Sequence, residues 1–221
     1  LKLQSSSSLL PRVSLMGAYM TRKSPVINRP AISFIADDLG PDRVSLFISG
    51  TEGARDVAKL KELGITTVLN CALNLDINYA DTITHAQSYG KAAAGSGPIK
   101  TYKVGLIDGP GNPIDMLLGA YFILESSLDQ TLPERASYPI RARGNVLVHC
   151  RGGRSRSVAL VALFLHAQKP ELYPELADAI SVIRTMRKLH PDEWFETPKQ
   201  PLIDAAEHAA QALKCLRQSE G

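Results

Sequence analysis

Apolar positions along the chain switch between a period of two and a period of about 3.6. Residues 43–50, RVSLFISG, alternate and predict a strand. In 52–64, Ala54, Val57, Leu60 and Leu63 recur at helical spacing and Gly64 supplies a stop, so one continuous helix is expected. The β-branched run 65–71, ITTVLNC, predicts a buried strand. Residues 74–98 are polar and rich in Gly, Ala and Ser, which predicts a long loop with room for a short helix. A strand over 100–107, a loop over 108–113 punctuated by Gly and Pro, and an amphipathic helix over 114–128 follow. Residues 130–144 form a polar, Pro-containing insertion before a short buried strand, 145–149. Three helices complete the pattern: 157–168, which is apolar; 174–189, with Leu176, Ile180, Ile183 and Met186 on one face; and 200–216. Strands alternating with helices imply an α/β layer fold, a central sheet with helices on both sides. A single domain over 31–217 is expected, after an N-terminal tail, 1–30.

Composition narrows the picture. The formal charge of +3 is too small to argue for a nucleic-acid partner. No apolar run is long enough for transmembrane anchoring. Cys71, Cys150 and Cys215 are odd in number and lack metal-ligand spacing, which points to reduced thiols in a cytoplasmic compartment, without metal or disulfide framework. Residues 1–36 contain no Asp or Glu and carry Lys2, Arg12, Arg22, Lys23, Arg29 and the run Ser5–Ser8. Three readings fit that stretch: a transit peptide to a plastid or mitochondrion, a disordered tail, or translation that begins at Met16 or Met20.

The densest chemistry lies in NVLVHCRGGRSRSVAL, residues 145–160. A buried strand feeds Cys150, and a helix is expected to start at Ser157. A tight loop at a helix N-terminus directs several backbone N–H groups inward and adds the positive end of the helix dipole, which suits an anion. Gly152 and Gly153 let the backbone close without Cβ clashes. Arg156 adds a planar fork of donors matched to phosphate. The same field should depress the pKa of the Cys150 thiol. A nucleophile beneath a bound tetrahedral oxyanion is suited to attack on phosphorus, forming a cysteinyl-phosphate.

Cys150, five intervening residues, Arg156 and Ser157, set between a strand and a helix, resemble the loop of the cysteine-dependent protein-tyrosine phosphatase superfamily. HCRGGRSRS is similar to the dual-specificity branch, whose loops commonly read His-Cys-x-x-Gly-x-Ser-Arg-Ser; Gly153, Ser155, Arg156 and Ser157 fall on that pattern. Upstream, 46–72 looks like that branch's opening strand, helix and Val-Leu-Asn strand end. The likeness runs over residues 43–190 and departs at 190–200, HPDEWFETPKQ, where many members carry a Pro-Asn-x-Gly-Phe-like stretch. The resemblance implies a phosphatase catalytic domain with a mixed, mostly parallel sheet. It assigns catalysis to Cys150 and Arg156, and substrate binding to the loop residues Arg151, Gly152, Gly153, Arg154, Ser155 and Ser157. It also implies a general-acid Asp on a loop between a strand and a helix. Asp108 fits best, although it stands 42 residues before Cys150, a gap that the insertion 130–144 lengthens. Asp115 is the rival, expected in a first helical turn where the dipole favours it for structural reasons.

Smaller readings follow. Ser157 suits helix capping and, by the resemblance, helps the thiolate leave. His149 is expected to be buried and satisfied, and Ser155 to stiffen the loop. Cys71 reads as an inert core cysteine or, as in some relatives, a disulfide partner for Cys150. Cys215 and Trp194 read as packing residues, and Arg184, Arg187 and Lys188 as a solvated face. Arg151 and Arg154 are positioned to reach a pocket rim and favour anionic substrates. The resemblance thus implies a phosphomonoester hydrolase without cofactor. Its first substrate class is phosphoprotein (pTyr and pSer/pThr), its second an acidic phospholipid such as phosphatidylglycerophosphate. A sulfur-transferase and a non-catalytic phosphate-binding module stand behind these. No nucleic-acid partner is implied, and a monomer is expected.

Overall fold

The computed structural model describes residues 29–80, 83–86, 92–94, 97–138 and 141–218. The Ser-rich stretch before Arg29 and the start sites weighed there lie outside these residues. Five strands form the central sheet: β1 (Ile32–Leu39), β2 (Val44–Ser49), β3 (Ile65–Ala72), β6 (Lys100–Leu106) and β7 (Asn145–His149). Their spatial order is β1-β2-β7-β3-β6; β1 runs antiparallel to β2, and the other pairings are parallel. The sheet is therefore mixed and mostly parallel, as expected.

Alternation sorts the side chains of the inner strands between two cores. Leu46 and Ile48 of β2, Leu69 and Cys71 of β3, and Val146 and Val148 of β7 face a large core shared with α3 (Met116–Asp129), α4 (Arg156–Gln168), α5 (Leu176–Met186) and α6 (Gln200–Gln218). Phe47, Val68 and Leu147 face the other side, where Ala54 and Leu60 of α1 (Thr51–Arg55) and α2 (Val57–Glu62) join Tyr79 and Ile99. Every residue of α4 from Arg156 to His166 is buried, the condition expected of a helix that is apolar on all faces. Its Phe164 packs against the ring of Tyr121 in α3.

Four features differ from the sequence reading. β1 was absent from it. Two register shifts, between Phe34 and Ala36 and between Ala36 and Leu39, break the alternation by which a strand is recognised. The helix expected over 52–64 is two helices. Asp56 leaves helical geometry at φ −81°, ψ 80°, and its carboxylate accepts the Lys59 N–H to start α2 afresh. Residues 74–98 contain a small antiparallel pair, β4 (Ile83–Ala86) with β5 (Ala92–Ala94), rather than a short helix. On α5, Leu176, Ile180 and Ile183 are buried but Met186 is exposed, and Arg187, the next residue, is the one buried at that end. The insertion 130–144 carries no helix or strand among its described residues, and Arg143 ties it to Asp42, Thr131 and the Asp129 carbonyl.

Phe164→Ala should lower stability by about 4 kcal/mol, through lost transfer energy and the cavity left in the larger core. Urea unfolding of the two proteins, compared at equal m, checks this.

Candidate active site

All four parallel strands end at the same edge of the sheet, and each delivers a residue there. β2 runs into Gly50, β3 into Asn74, β6 into Asp108 and β7 into Cys150. Open α/β sheets place ligand-binding crevices at this carboxyl edge.

The loop 150–155 is seated against the end of β2. Gly153 adopts φ +63°, and a Cβ on it would lie 2.4 Å from the Ser49 carbonyl carbon and 2.6 Å from the Gly50 nitrogen. Only glycine fits there on both counts. The Thr51 N–H and hydroxyl both donate to the Arg151 carbonyl, at 3.0 Å each. The Lys199 N–H donates to the Ser155 hydroxyl at 3.3 Å, and the Arg187 Nε donates to the Gly153 carbonyl at 3.0 Å.

Cys150 sits at the floor, 2% exposed. Its Sγ lies 3.3 Å from the Ser157 hydroxyl and accepts the Gly153 N–H at 3.3 Å. Burial opposes ionisation of this thiol. The Ser157 hydroxyl and backbone N–H, the charge of Arg156 and the Gly153 N–H outweigh it and hold the thiol below the ordinary cysteine range. Cys71 is a free, buried thiol whose ionisation burial suppresses strongly, with the neighbouring Cys150 acting in the same sense and Arg156 against it.

Arg156 is the first residue of α4 and is 3% exposed. Its Nη1 donates to the Asn74 side chain at 3.1 Å and to the Leu106 carbonyl at 3.2 Å, while its Nε is buried without a partner. The N-cap position is Ser155, so Ser157 stands inside the first turn and turns its hydroxyl to the sulfur rather than capping the helix. His149 is buried, as expected, but not satisfied. Its Nδ1 lies 3.2 Å from the Cys150 carbonyl and its Nε2 has no partner. Burial is the main reason its pKa is lowered, so the ring stays neutral at physiological pH.

Asp108 opens the loop after β6, and Asn112 braces that loop by accepting the Ile107 N–H and donating to the Ile107 and Gly109 carbonyls. The Asp108 carboxylate lies 3.5 Å from the Lys199 ammonium, which also donates to the Asp108 carbonyl at 3.1 Å. Lys199 thus links the Asp108 loop to Ser155 of the cysteine loop. Asp115 stands at the N-cap position of α3, exposed and without a side-chain capping bond.

The two extra loop arginines separate. Arg151 and Gly152 are exposed at the rim. Arg154 turns away to ion pairs with Glu196, at 3.1 Å, and buried Glu193, at 3.5 Å. The solvated face expected of Arg184, Arg187 and Lys188 holds for Lys188 alone. Arg187 is 2% exposed beneath the loop, and Arg184 stacks on Trp194 and bonds the Thr197 and Trp194 carbonyls. Cys215 is exposed rather than packed, whereas Trp194 is half-exposed, with Arg184 over its ring and its Nε1 donating to the Leu189 carbonyl at 3.1 Å. Asn74, Arg187 and Lys199 were missed in the sequence because each reaches the loop from a distant segment. A run of polar or basic residues carries no mark of that reach.

No family model matches the chain. Solved structures do. A variant of human DUSP28 aligns at 20% identity over 85% of this chain and 99% of its own, with TM-score 0.55. A mouse protein designated a dual specificity phosphatase, complexed with zinc tungstate, aligns at 19% identity over 88% and 94%, with TM-score 0.56. The Yvh1 phosphatase domain from Chaetomium thermophilum aligns at 20% identity over 84% and 98%, with TM-score 0.51. At this identity the likeness establishes the architecture: the chain has the protein-tyrosine-phosphatase-like fold that these structures share.

Proposed function

We propose that this protein is a phosphomonoester hydrolase of the dual-specificity type, acting on phosphoprotein through a cysteinyl-phosphate. The reading rests on one arrangement. A thiol of depressed pKa is held by the backbone N–H groups of Gly153 and Ser157, with a buried guanidinium nearby whose Nε has no partner among the described residues. A bound phosphoryl group would supply that partner and meet the sulfur in line.

In the first step the Cys150 thiolate attacks phosphorus and the bond from phosphorus to the ester oxygen breaks. Asp108 gives its proton to the departing oxygen, and Arg156 with the loop N–H groups holds the charge on the phosphoryl oxygens. In the second step Asp108 takes a proton from water, which attacks phosphorus. The sulfur leaves as thiolate, stabilised by the Ser157 hydroxyl, and inorganic phosphate is released. The Lys199 bridge keeps the Asp108 loop within reach of the cysteine loop.

The rim favours a phosphoprotein over a polyanionic headgroup. Arg154 is engaged by Glu193 and Glu196, and Lys199 by Asp108, which leaves Arg151 as the exposed cation of the loop itself. Exposed Leu73 and Ile107 flank Asn74 and Asp108, offering apolar contact to the group that bears the phosphate.

Hydrolysis of an aryl phosphate, phosphotyrosyl and phosphothreonyl peptides, phosphatidylglycerophosphate and thiosulfate tests the reading. Turnover of the aryl ester and peptides that Cys150→Ser lowers by about 10³-fold or more supports it. Faster turnover of the lipid would move the substrate class, and thiosulfate turnover would replace the chemistry. Cys150→Ser should still bind phosphate, whereas Arg156→Ala should lose both binding and turnover. Asp108→Ala should slow turnover by about 10²- to 10⁴-fold for poor leaving groups and far less for good ones. That pattern in Asp115→Ala would reassign the acid.

The reactive form is the thiolate, so kcat/KM should fall as pH drops through the depressed pKa of Cys150. Ser157→Ala removes one of the interactions that lower it, and the acidic limb of the kcat/KM profile should move to higher pH.

A further inference from the structure

Arg187 is a buried cation whose hydrogen-bond partners are all neutral. Its Nε donates to the Gly153 carbonyl at 3.0 Å, and its Nη1 to the Pro30 carbonyl at 2.9 Å, the Ser33 hydroxyl at 3.1 Å and the Ile48 carbonyl at 3.3 Å. Among the described residues no carboxylate bonds it. A buried guanidinium without a paired carboxylate is costly, and a methionine or leucine would fill the space without that cost.

What the guanidinium accomplishes is visible at Gly153. Its carbonyl is held by Arg187, while its N–H points to the Cys150 sulfur at 3.3 Å. Both polar groups of one residue are thereby pinned, in a backbone conformation (φ +63°) that only glycine adopts readily. The other end of Arg187 is anchored to Pro30, Ser33 in β1 and Ile48 in β2. The clamp therefore joins the end of α5 to β1 and Pro30 just before it, and to the strand on which the loop rests. A parallel connection runs beside it. Arg29 binds Glu193 at 2.6 and 2.8 Å, and Glu193 and Glu196 bind Arg154 of the loop.

We propose that Arg187 is a positioning residue of the site, a second guanidinium that clamps the phosphate loop from behind and keeps the Gly153 N–H on the Cys150 sulfur. The proposal rests on Cys150 as the nucleophile. Arg156 from α4, Cys71 from β3, His149 beside it on β7 and Arg187 from α5 are the titratable or charged groups around that sulfur, with Arg29 acting on Arg187. Burial first, then the charge of Arg29, pushes Arg187 down to about 10, and the Cys150 thiolate is the group that favours its charged form. Arg187 therefore remains a cation at neutral pH.

The test is the rate of iodoacetamide alkylation of Cys150 against pH, in full-length protein carrying Cys215→Ser so that the exposed thiol does not react. Arg187→Met should slow alkylation about tenfold at about pH 6 and converge with the parent under alkaline conditions, where both thiols are ionised. Arg187→Lys should recover part of that loss. A folded Arg187→Met with the parent's alkylation profile overturns the proposal. Should Arg187→Met not fold, Ser33→Ala decides. It removes one anchor without emptying the core and should slow alkylation about twofold at about pH 6; an unchanged rate overturns the proposal. Because alkylation needs no substrate, this result stands apart from the phosphatase reading. Absence of Cys150-dependent turnover in the parent would overturn that reading and leave the clamp measurable.

Discussion

The close approach of Gly153 to the end of β2 is the constraint on which the site depends. No side chain fits between the loop and the Ser49–Gly50 peptide, so the loop after β7 can lie flat against the neighbouring strand. That contact brings the Gly153 N–H to the sulfur and presents the Gly153 carbonyl to Arg187. It also places the Arg151 carbonyl where Thr51 binds it twice. The parallel pairing of β2 with β7, Ser49 opposite His149, sets the separation at which these contacts can form.

Two buried guanidinium groups flank the cysteine loop from different sides. Arg156 reaches from α4 across to β6 and the segment after β3; Arg187 reaches from α5 to β1 and β2. Each is stripped of water, and each is compensated by carbonyl, amide or hydroxyl oxygens instead of carboxylates. Among the described residues no carboxylate pairs with either guanidinium, so neither charge is neutralised internally. Arg154 shows the opposite case. Glu193 and Glu196 absorb its charge, and it contributes to holding the loop rather than to the rim.

Much of this could be read along the chain. The strand before Cys150, the helix after it and the two glycines between are local features, and local spacing carries them. The position of Asp108 was legible for the same reason, at the head of a Gly- and Pro-rich loop after a strand. The break at Asp56 and the irregular β1 were not legible. A cap formed by one carboxylate and a strand interrupted by two register shifts both erase the periodicity that marks an element.

The amino-acid sequence by itself determined the order of most strands and helices and the cysteine–loop–arginine spacing, because backbone periodicity and loop chemistry act over a few residues. Only the tertiary structure decided which charges serve the loop. Arg154 and Arg187 are alike on paper. One finds carboxylates from the segment after α5, and the other is buried among neutral oxygens from β1, β2 and the loop itself. A guanidinium's effect is set by its desolvation and its partners, and those come from segments far away in the chain.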